Sequence, residues 1–432
     1  MPDPIVTELR DHAHMLAEQI GPRMAGTAAN HAAADYIAGV FARAGLAVET
    51  LPFACPGWRC AETTLELDGT ALVAAANVMS PPCDLSAPTV AVETVAELDA
   101  ADITGKIVVL YGDLTREPLI PLNCPIYNAE RDQHINRTLL DRRPAAVITV
   151  NPHLHSVERR IEDADFTLPS ATVPADVGAR LLHRLGAPVH LRIAADCQPS
   201  SSAHVLGLKP GPRAVRIALM AHFDTKEDTP GAWDNAGGVA ALLALAGRLA
   251  RRDLACGLEF IAFADEETYS NDHVVYIRER GDLFGGILAA INLDGIAHIL
   301  GHNTITLLAH SQALHEAVTA ITAQYPRVQW VEPWPQSNHS TFAWHGVPAI
   351  ALSASVPWIT TAHLPTDTPL WLSPELLAEA VCLTEAIIAT IHVVRRAKSD
   401  HDGMWVPLVY AGLLTGTALL TPAAPWLFPA VL

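Results

Sequence analysis

The chain has 432 residues and a formal net charge of −18, with 28 lysines and arginines against 46 aspartates and glutamates. This acidity argues against a nucleic-acid-binding protein, because phosphate recognition needs a basic surface. The length predicts two or three domains with a large core. Seven cysteines without a CxxC pair indicate a reducing compartment or incidental core thiols rather than a disulfide framework.

The N-terminal segment is predicted to be helical. Residues 5–46 carry this pattern, with a break at 21–23 and a stop at Gly45. Residues 46–53 then predict a strand. The first residues, MPDPIVTELRDHAHML, have charges where the apolar core of a secretory signal would lie, so we expect a cytoplasmic protein.

The composition changes near Cys55, and from there to about residue 200 short strands alternate with turns. Apolar strands are predicted at 107–110, 145–150 and 168–173, followed by a helix at 174–185. The blocks GKIVVL, AAVITVN and LPSATV resemble, in this order, the protease-associated domain found in many exopeptidases. The resemblance implies an inserted, β-rich protease-associated domain over residues 55–200.

Candidate catalytic and metal-binding residues follow Ser200, at the ends of predicted strands. Four apolar strands, at 214–220, 256–264, 287–293 and 347–352, are separated by helical stretches. Each strand is followed by acids or histidines, which are His222 and Asp224, then Asp265, Glu266 and Glu267, then Asp294, and last His363. We therefore predict a doubly wound α/β domain with a mixed, mostly parallel sheet flanked by helices. Its site should lie at the carboxyl edge of the sheet.

The residues at these strand ends suit metal ions, because imidazole and carboxylate groups are good ligands for Zn²⁺. The donors are sufficient for two metal ions with one shared carboxylate, and they are His222, Asp234, Glu267, Asp294 and His363. Glu266 remains free to hold a proton during hydrolysis. Asp224 is placed to accept the other ring N–H of His222.

This constellation resembles the two-zinc exopeptidase family of aminopeptidase Y, bacterial leucyl aminopeptidases and glutamate carboxypeptidase, over residues 1–400. The resemblance implies the zinc exopeptidase fold and two Zn²⁺ or related divalent ions. It assigns one zinc to His222 and Asp294, and the other to Glu267 and His363.

The same resemblance gives Asp234 the bridging position and makes Glu266 the catalytic base. It gives Asp224 the role of orienting His222. It also implies a cis peptide bond between Asp234 and Asn235.

Two stretches depart from the family pattern. Thr268-Tyr269-Ser270-Asn271 stands where the family usually has a Gly-rich turn ending in Gly-Ser. Ser337-Asn338-His339 replaces a common Ser-Asp-His, which removes a carboxylate. The first departure predicts a pocket of different shape next to the second zinc, and the second argues against a charged role at Asn338.

The function expected from these residues is that of an aminopeptidase, acting on peptides with a free N-terminus. A carboxypeptidase needs a basic residue for the substrate carboxylate, and Lys226 is the only one in the motif segments. We expect an acidic rim that suits a protonated amine, made of Asp224, Glu227, Asp228, Asp265, Asp272 and Asp367. A carboxypeptidase and a non-catalytic, receptor-like homologue remain the alternatives.

The C-terminal end carries no charged residue from Gly403 to Leu432. Its longest proline-free apolar run, 408–421, is shorter than the roughly 20 residues that span a bilayer. We therefore expect it to pack against the protein or an oligomer partner rather than enter a membrane. The predicted division is 1–54 and 201–400 for the peptidase domain, 55–200 for the insertion and 401–432 for the tail.

Overall fold

A computed structural model of the chain describes residues 4–124, 129–154, 157–356 and 362–394. The predicted apolar tail at 401–432 lies outside the described residues. The chain divides into two compact units, one made of 1–54 together with the residues from Ser201 onward, and the other of Cys55–Ser200. No helix within the described residues is long and apolar enough to cross a bilayer.

Ten α-helices lie in the described part of the chain. In chain order they are α1 Pro4–His14, α2 Ala28–Ala44, α3 Val95–Ala100, α4 Glu130–Arg142, α5 Ala175–Leu182, α6 Gly237–Leu249, α7 Asn271–Arg280, α8 Gln312–Thr322, α9 His339–Trp344 and α10 Pro374–Val394. The predicted stop of α2 is confirmed, since Gly45 follows it with a φ of 92° in the left-handed region.

The described residues contain fourteen strands. They are β1 Ala47–Leu67, β2 Thr70–Leu72, β3 Ala75–Ala76, β4 Cys83–Val92, β5 Ile107–Leu110, β6 Ala146–Val150, β7 Ser170–Val173, β8 Pro188–Lys209, β9 Arg216–His222, β10 Gly257–Phe263, β11 Ile287–Leu293, β12 His302–Leu308, β13 Gln329–Trp330 and β14 Ala349–Ser355.

The larger unit has a mixed, mostly parallel sheet of order β13-β12-β14-β11-β9-β10-β8. Strand β9 pairs in parallel with β10 and β11, and β11 pairs in parallel with β14. Strands β12 and β8 run antiparallel to their neighbours β14 and β10. The four predicted site strands are confirmed as β9, β10, β11 and β14; β11 has the predicted bounds, and the ends of the other three differ by one to three residues.

Helix α6 is central to the packing of this unit. Its sequence from Val239 to Ala246 consists of alanine, leucine and valine, and all of these residues are buried. A helix that is apolar on all sides must be covered on all sides. Helices α1, α2 and α10 and strands β9 and β11 pack around it.

Strand β12 was not predicted, and it lies between β13 and β14.

The smaller unit contains the parallel strands β4, β5, β6 and β7, with β3 antiparallel at one edge. Strands β5, β6 and β7 are those predicted from the sequence. Helix α4 was missed, because its sequence ERDQHINRTLLDR is mostly polar. Its apolar residues Ile135 and Leu139 are nevertheless fully buried in the core of this unit.

Candidate metal centre

Five side chains from different segments meet at the carboxyl edge of the larger sheet. His222 is the last residue of β9, Glu267 follows β10, and Asp294 directly follows β11. Asp234 lies between β9 and α6, and His363 lies beyond the end of β14. Because these four strands are mutually parallel, their carboxyl ends share one edge. The predicted ligands are therefore brought together.

Asp234 lies between the two histidines. Its Oδ1 is 3.1 Å from Nε2 of His222, and its Oδ2 is 3.3 Å from Nε2 of His363. Each histidine also contacts a second carboxylate: Asp294 is 3.2 Å from His222, and Glu267 is 3.2 Å from His363. The cluster thus has two halves that share Asp234.

These distances fit zinc. With zinc–ligand bonds of about 2.0–2.1 Å and tetrahedral geometry, two donor atoms on one ion lie about 3.3 Å apart. The four contacts above lie at 3.1–3.3 Å. In addition, ligand atoms of His222, Asp234 and Glu267 all lie within 4.8 Å of one another. The donor set and its spacing therefore suit divalent cations.

The electrostatics of the metal-free cluster also favour a bound cation. Burial alone would lower the pKa of His222, but Asp294, Asp224 and Asp234 outweigh it and raise that pKa well above its usual value. Burial likewise opposes protonation of His363, and Glu267 and Asp234 reverse the effect and raise its pKa. The carboxylates thus attract positive charge, which protons supply here and which a bound cation would supply in their place.

Asp224 is fully buried beside this cluster. Its Oδ1 accepts the backbone N–H of Glu266 at 3.1 Å, and its Oδ2 accepts that of Glu267 at 3.0 Å. The distance from Oδ1 to Nδ1 of His222 is 3.5 Å, the outer limit of a hydrogen bond. Asp224 therefore fixes the backbone of the glutamate pair. The role in orienting His222 stays a prediction.

Glu266 lies next to a ligand position and is partly exposed. Burial raises the pKa of its carboxyl well above the usual value, and the charges of Glu267 and Asp294 raise it further, against the opposing effect of His222. A carboxylate in these surroundings accepts a proton more readily than one in water. This is the property that a general base needs.

Asp294 is held by the segment that replaces Ser-Asp-His. The hydroxyl of Ser337 donates to Oδ2 of Asp294 at 2.6 Å, and Asn292 donates to the Ser337 oxygen at 2.8 Å. Asn338 donates to the buried carboxylate of Asp272. Asn338, which stands where the family usually has an aspartate, therefore pairs with the carboxyl group of Asp272 on α7.

The other departure, after the glutamate pair, is also organised by a buried acid. Oδ1 of Asp265 accepts the backbone N–H of Tyr269 at 3.2 Å, and its Oδ2 accepts the side chain of Asn271 at 2.6 Å. Asp265 is fully buried. A carboxylate thus stabilises the turn in a stretch that lacks glycine.

The predicted acidic rim is wrong for four of its six members. Asp224, Asp265, Asp272 and Asp367 are buried and accept hydrogen bonds from neighbouring backbone or side-chain groups. These four residues therefore hold neighbouring segments in place and do not form a rim at the surface. Lys226, the basic residue of the motif segments, lies 3.7 Å from the Glu267 carboxylate and donates to the Glu267 carbonyl.

Sequence reasoning missed two residues that hold the ligand loops. Asp367 was predicted only as a rim acid, and Arg23 was noted only as part of the helix break at 21–23. Both are fully buried, and both bond to the loop that carries Asp234. The peptide bond between Asp234 and Asn235 is cis, as the resemblance implies.

Comparison with known families adds a direct match over the site. The model of "Peptidase family M28" matches residues 205–386, which include all five candidate ligands and Glu266. Residues 205–386 are thus similar to a peptidase family M28 domain. The match covers the larger unit from β8 into α10 and leaves out residues 55–200.

Two curated proteins resemble this chain at low identity. The "Probable lipoprotein aminopeptidase LpqL" of Mycobacterium tuberculosis is 24% identical over 293 residues, covering 64% of this chain and 55% of that protein. "Aminopeptidase YwaD" of Bacillus subtilis is 26% identical over 267 residues, covering 58% and 53%. The chain thus spans about half the length of the curated relatives it matches.

Solved structures are similar to this chain in fold. BSAP, described as a zinc aminopeptidase from Bacillus subtilis, has a TM-score of 0.72 at 22% identity and covers 89% of this chain and 94% of its own. A peptidase M28 precursor from Shewanella amazonensis has a TM-score of 0.72 at 18% identity, covering 93% and 97%. At these identities the similarity establishes the fold.

Proposed function

We propose that this chain is a two-zinc aminopeptidase that hydrolyses the N-terminal peptide bond of peptides. The observation that carries the proposal is the position of Asp234, which presents one oxygen to His222 and the other to His363. One zinc would be held by His222 and Asp294, the other by Glu267 and His363, and Asp234 would serve both.

Zinc in such a site supplies an acidified water and polarises the carbonyl of the scissile bond. Glu266 takes the proton of the attacking water and returns it to the leaving amine. Asp224 keeps Glu266 in place by accepting its backbone N–H. Ser337 keeps Asp294 oriented through its hydroxyl.

The choice of the amino end follows from charge. A free substrate carboxylate needs a basic partner, and the ammonium of Lys226 is already engaged by Glu267. A protonated substrate amine would be attracted by Glu266 and by the partly exposed carboxylates of Asp234 and Asp294. The curated relatives that match the chain carry the name aminopeptidase.

We also propose that residues 55–200 are a protease-associated domain. The support is that these residues form a compact unit of their own. The three predicted strands are present as β5, β6 and β7, and they pair with one another in parallel.

A comparison of two substrate types tests the proposed activity. The purified chain is loaded with zinc and given an unblocked aminoacyl anilide or an N-acylated dipeptide with a free carboxylate. We expect cleavage of the unblocked substrate and loss of that cleavage in Glu266→Gln. Preferential cleavage of the blocked dipeptide would make the chain a carboxypeptidase, and zinc binding without any cleavage would favour a receptor-like protein.

A further inference from the structure

The loop between the first two ligands is held by two buried charges of opposite sign. It runs from Phe223 to Asp234, directly after His222, and contains no strand and no α-helix. Its position decides where Asp234 lies relative to both histidines. The polar groups of this loop are therefore part of the geometry of the metal centre.

Arg23 holds the carbonyl groups of this loop. Its Nε donates to the carbonyl of Phe223 at 2.5 Å, and its two terminal nitrogens donate to Pro230 at 2.6 Å and Gly231 at 2.9 Å. Its backbone N–H donates to the hydroxyl of Thr225 at 2.9 Å. The remaining bonds of the guanidinium go to two carbonyls of its own N-terminal segment. Arg23 is 0% exposed.

Asp367 holds the N–H groups at the end of the same loop. Its Oδ1 accepts the N–H of Trp233 at 2.9 Å, its Oδ2 accepts that of Asp234 at 3.0 Å, and its carbonyl accepts that of Ala232 at 3.2 Å. Asp367 is 0% exposed and lies four residues after His363. It therefore ties the segment that carries one ligand to the segment that carries another.

Within the part of the chain that the structure describes, neither Arg23 nor Asp367 has an ion pair. A buried charge is costly unless hydrogen bonds compensate it, and here each takes its bonds from peptide groups of the loop. Arg23 and Asp367 also attract each other electrostatically. The loop is thus fixed at its carbonyl groups by the guanidinium of Arg23 and at its N–H groups by the carboxyl group of Asp367.

We propose that Arg23 and Asp367 act as a pair of positioning residues that hold Asp234 between the two histidines and so set the affinity of the centre for zinc. The inference rests on the proposed metal centre. It adds that the N-terminal segment, outside residues 205–386, is part of what makes the centre bind metal.

Zinc titration of the metal-free protein tests the pair, with a chromophoric chelator as competitor. Asp367→Asn replaces one accepting oxygen by an amide that cannot accept, and we expect zinc binding about 10–100-fold weaker, as for other residues that orient ligands. Arg23→Met should weaken binding over the same range. The double variant should lose less than the product of the two single losses, because both act on one loop.

Matched controls come from the other unit. Asp163 is also buried and accepts two backbone N–H groups, so Asp163→Asn removes the same kind of bond. Arg160→Met removes another buried guanidinium. Both controls should bind zinc like the wild type, and thermal unfolding of each metal-free variant separates lost stability from lost affinity.

The outcomes are distinct. Folded single variants with wild-type zinc affinity would overturn the inference and leave the proposed function standing, as would a double variant whose loss equals the product. A wild-type chain that binds no zinc would remove the proposed function itself. If Arg23→Met does not fold, Arg23→Lys keeps the charge but not the three loop bonds, and it should still weaken zinc binding.

Discussion

Asp224 and Glu266 are joined through the backbone, since Oδ1 of Asp224 accepts the Glu266 N–H at 3.1 Å while Oδ2 accepts the next N–H along the chain. One buried carboxylate thus fixes a candidate base and a candidate ligand together. Adjacent residues held in this way point their side chains in different directions, which separates proton transfer from metal binding.

Asp224→Asn should lower turnover by about tenfold or more, because the amide can accept only one of the two N–H groups and leaves a buried donor unpaired. The measurement is kcat on an aminoacyl anilide together with zinc content. Asp253→Asn, at an exposed position between α6 and β10, is the control. Near-native turnover of Asp224→Asn would show that the glutamate pair does not depend on this carboxylate.

Glu266→Gln should keep the fold and both zinc ions and lose activity by about 10²–10⁴-fold, or roughly 3–5 kcal/mol of barrier. The reason is that the amide cannot take a proton from water. Steady-state kinetics and elemental analysis of the same sample provide the check. If the variant retains most of its turnover, another group is the base.

Ser337→Ala should weaken zinc binding by about tenfold, because it removes the 2.6 Å hydrogen bond to Asp294. Ser340→Ala is a suitable control, since that hydroxyl bonds to a carbonyl outside the ligand set. Chelator competition measures both variants. Equal affinities would mean that Asp294 is held without Ser337.

The metal-free protein should lose stability as the pH rises, in part through Asp272. Burial raises the pKa of Asp272 to about 8, whereas an unfolded aspartate has a pKa of about 3.9. Between these values the folded state binds more protons, so the free energy of unfolding falls with pH by up to about 1.4 kcal/mol per unit. Asp272→Asn should have a flatter profile.

Urea unfolding at pH 5.5 and 7.5 tests this dependence in the wild type and in Asp272→Asn. Asp282→Asn, at an exposed position, should follow the wild type. Parallel profiles for the wild type and Asp272→Asn would contradict the argument.

The strands of the larger unit and the residues at their ends could be predicted from the sequence for one physical reason. Buried parallel strands are unbroken apolar runs, and the residues that follow them must share an edge. Helix α4 could not be found in this way, because its few buried apolar residues are outnumbered by polar ones. Strand β12 was missed because polar residues interrupt the apolar ones in its sequence HNTITLL.

Depth beneath the surface is what the sequence did not reveal. Asp367 and Asp228 look alike as acids near motif residues, but the first is 0% exposed and bonded to the loop of Asp234, while the second is exposed. The partners of Arg23 lie about 200 residues away in sequence, and hydrogen bonds to backbone groups leave no pattern of side chains to detect.

The central claim is that this chain binds two zinc ions that share Asp234. The most direct test starts from metal-free wild type and metal-free Asp234→Ala. Both are reconstituted with zinc, excess zinc is removed, and the bound zinc is measured by elemental analysis. We predict two zinc ions per chain in the wild type and a clear loss in the variant, because the shared ligand serves both halves of the centre. One or no bound zinc in the wild type, or two in Asp234→Ala, would contradict the account.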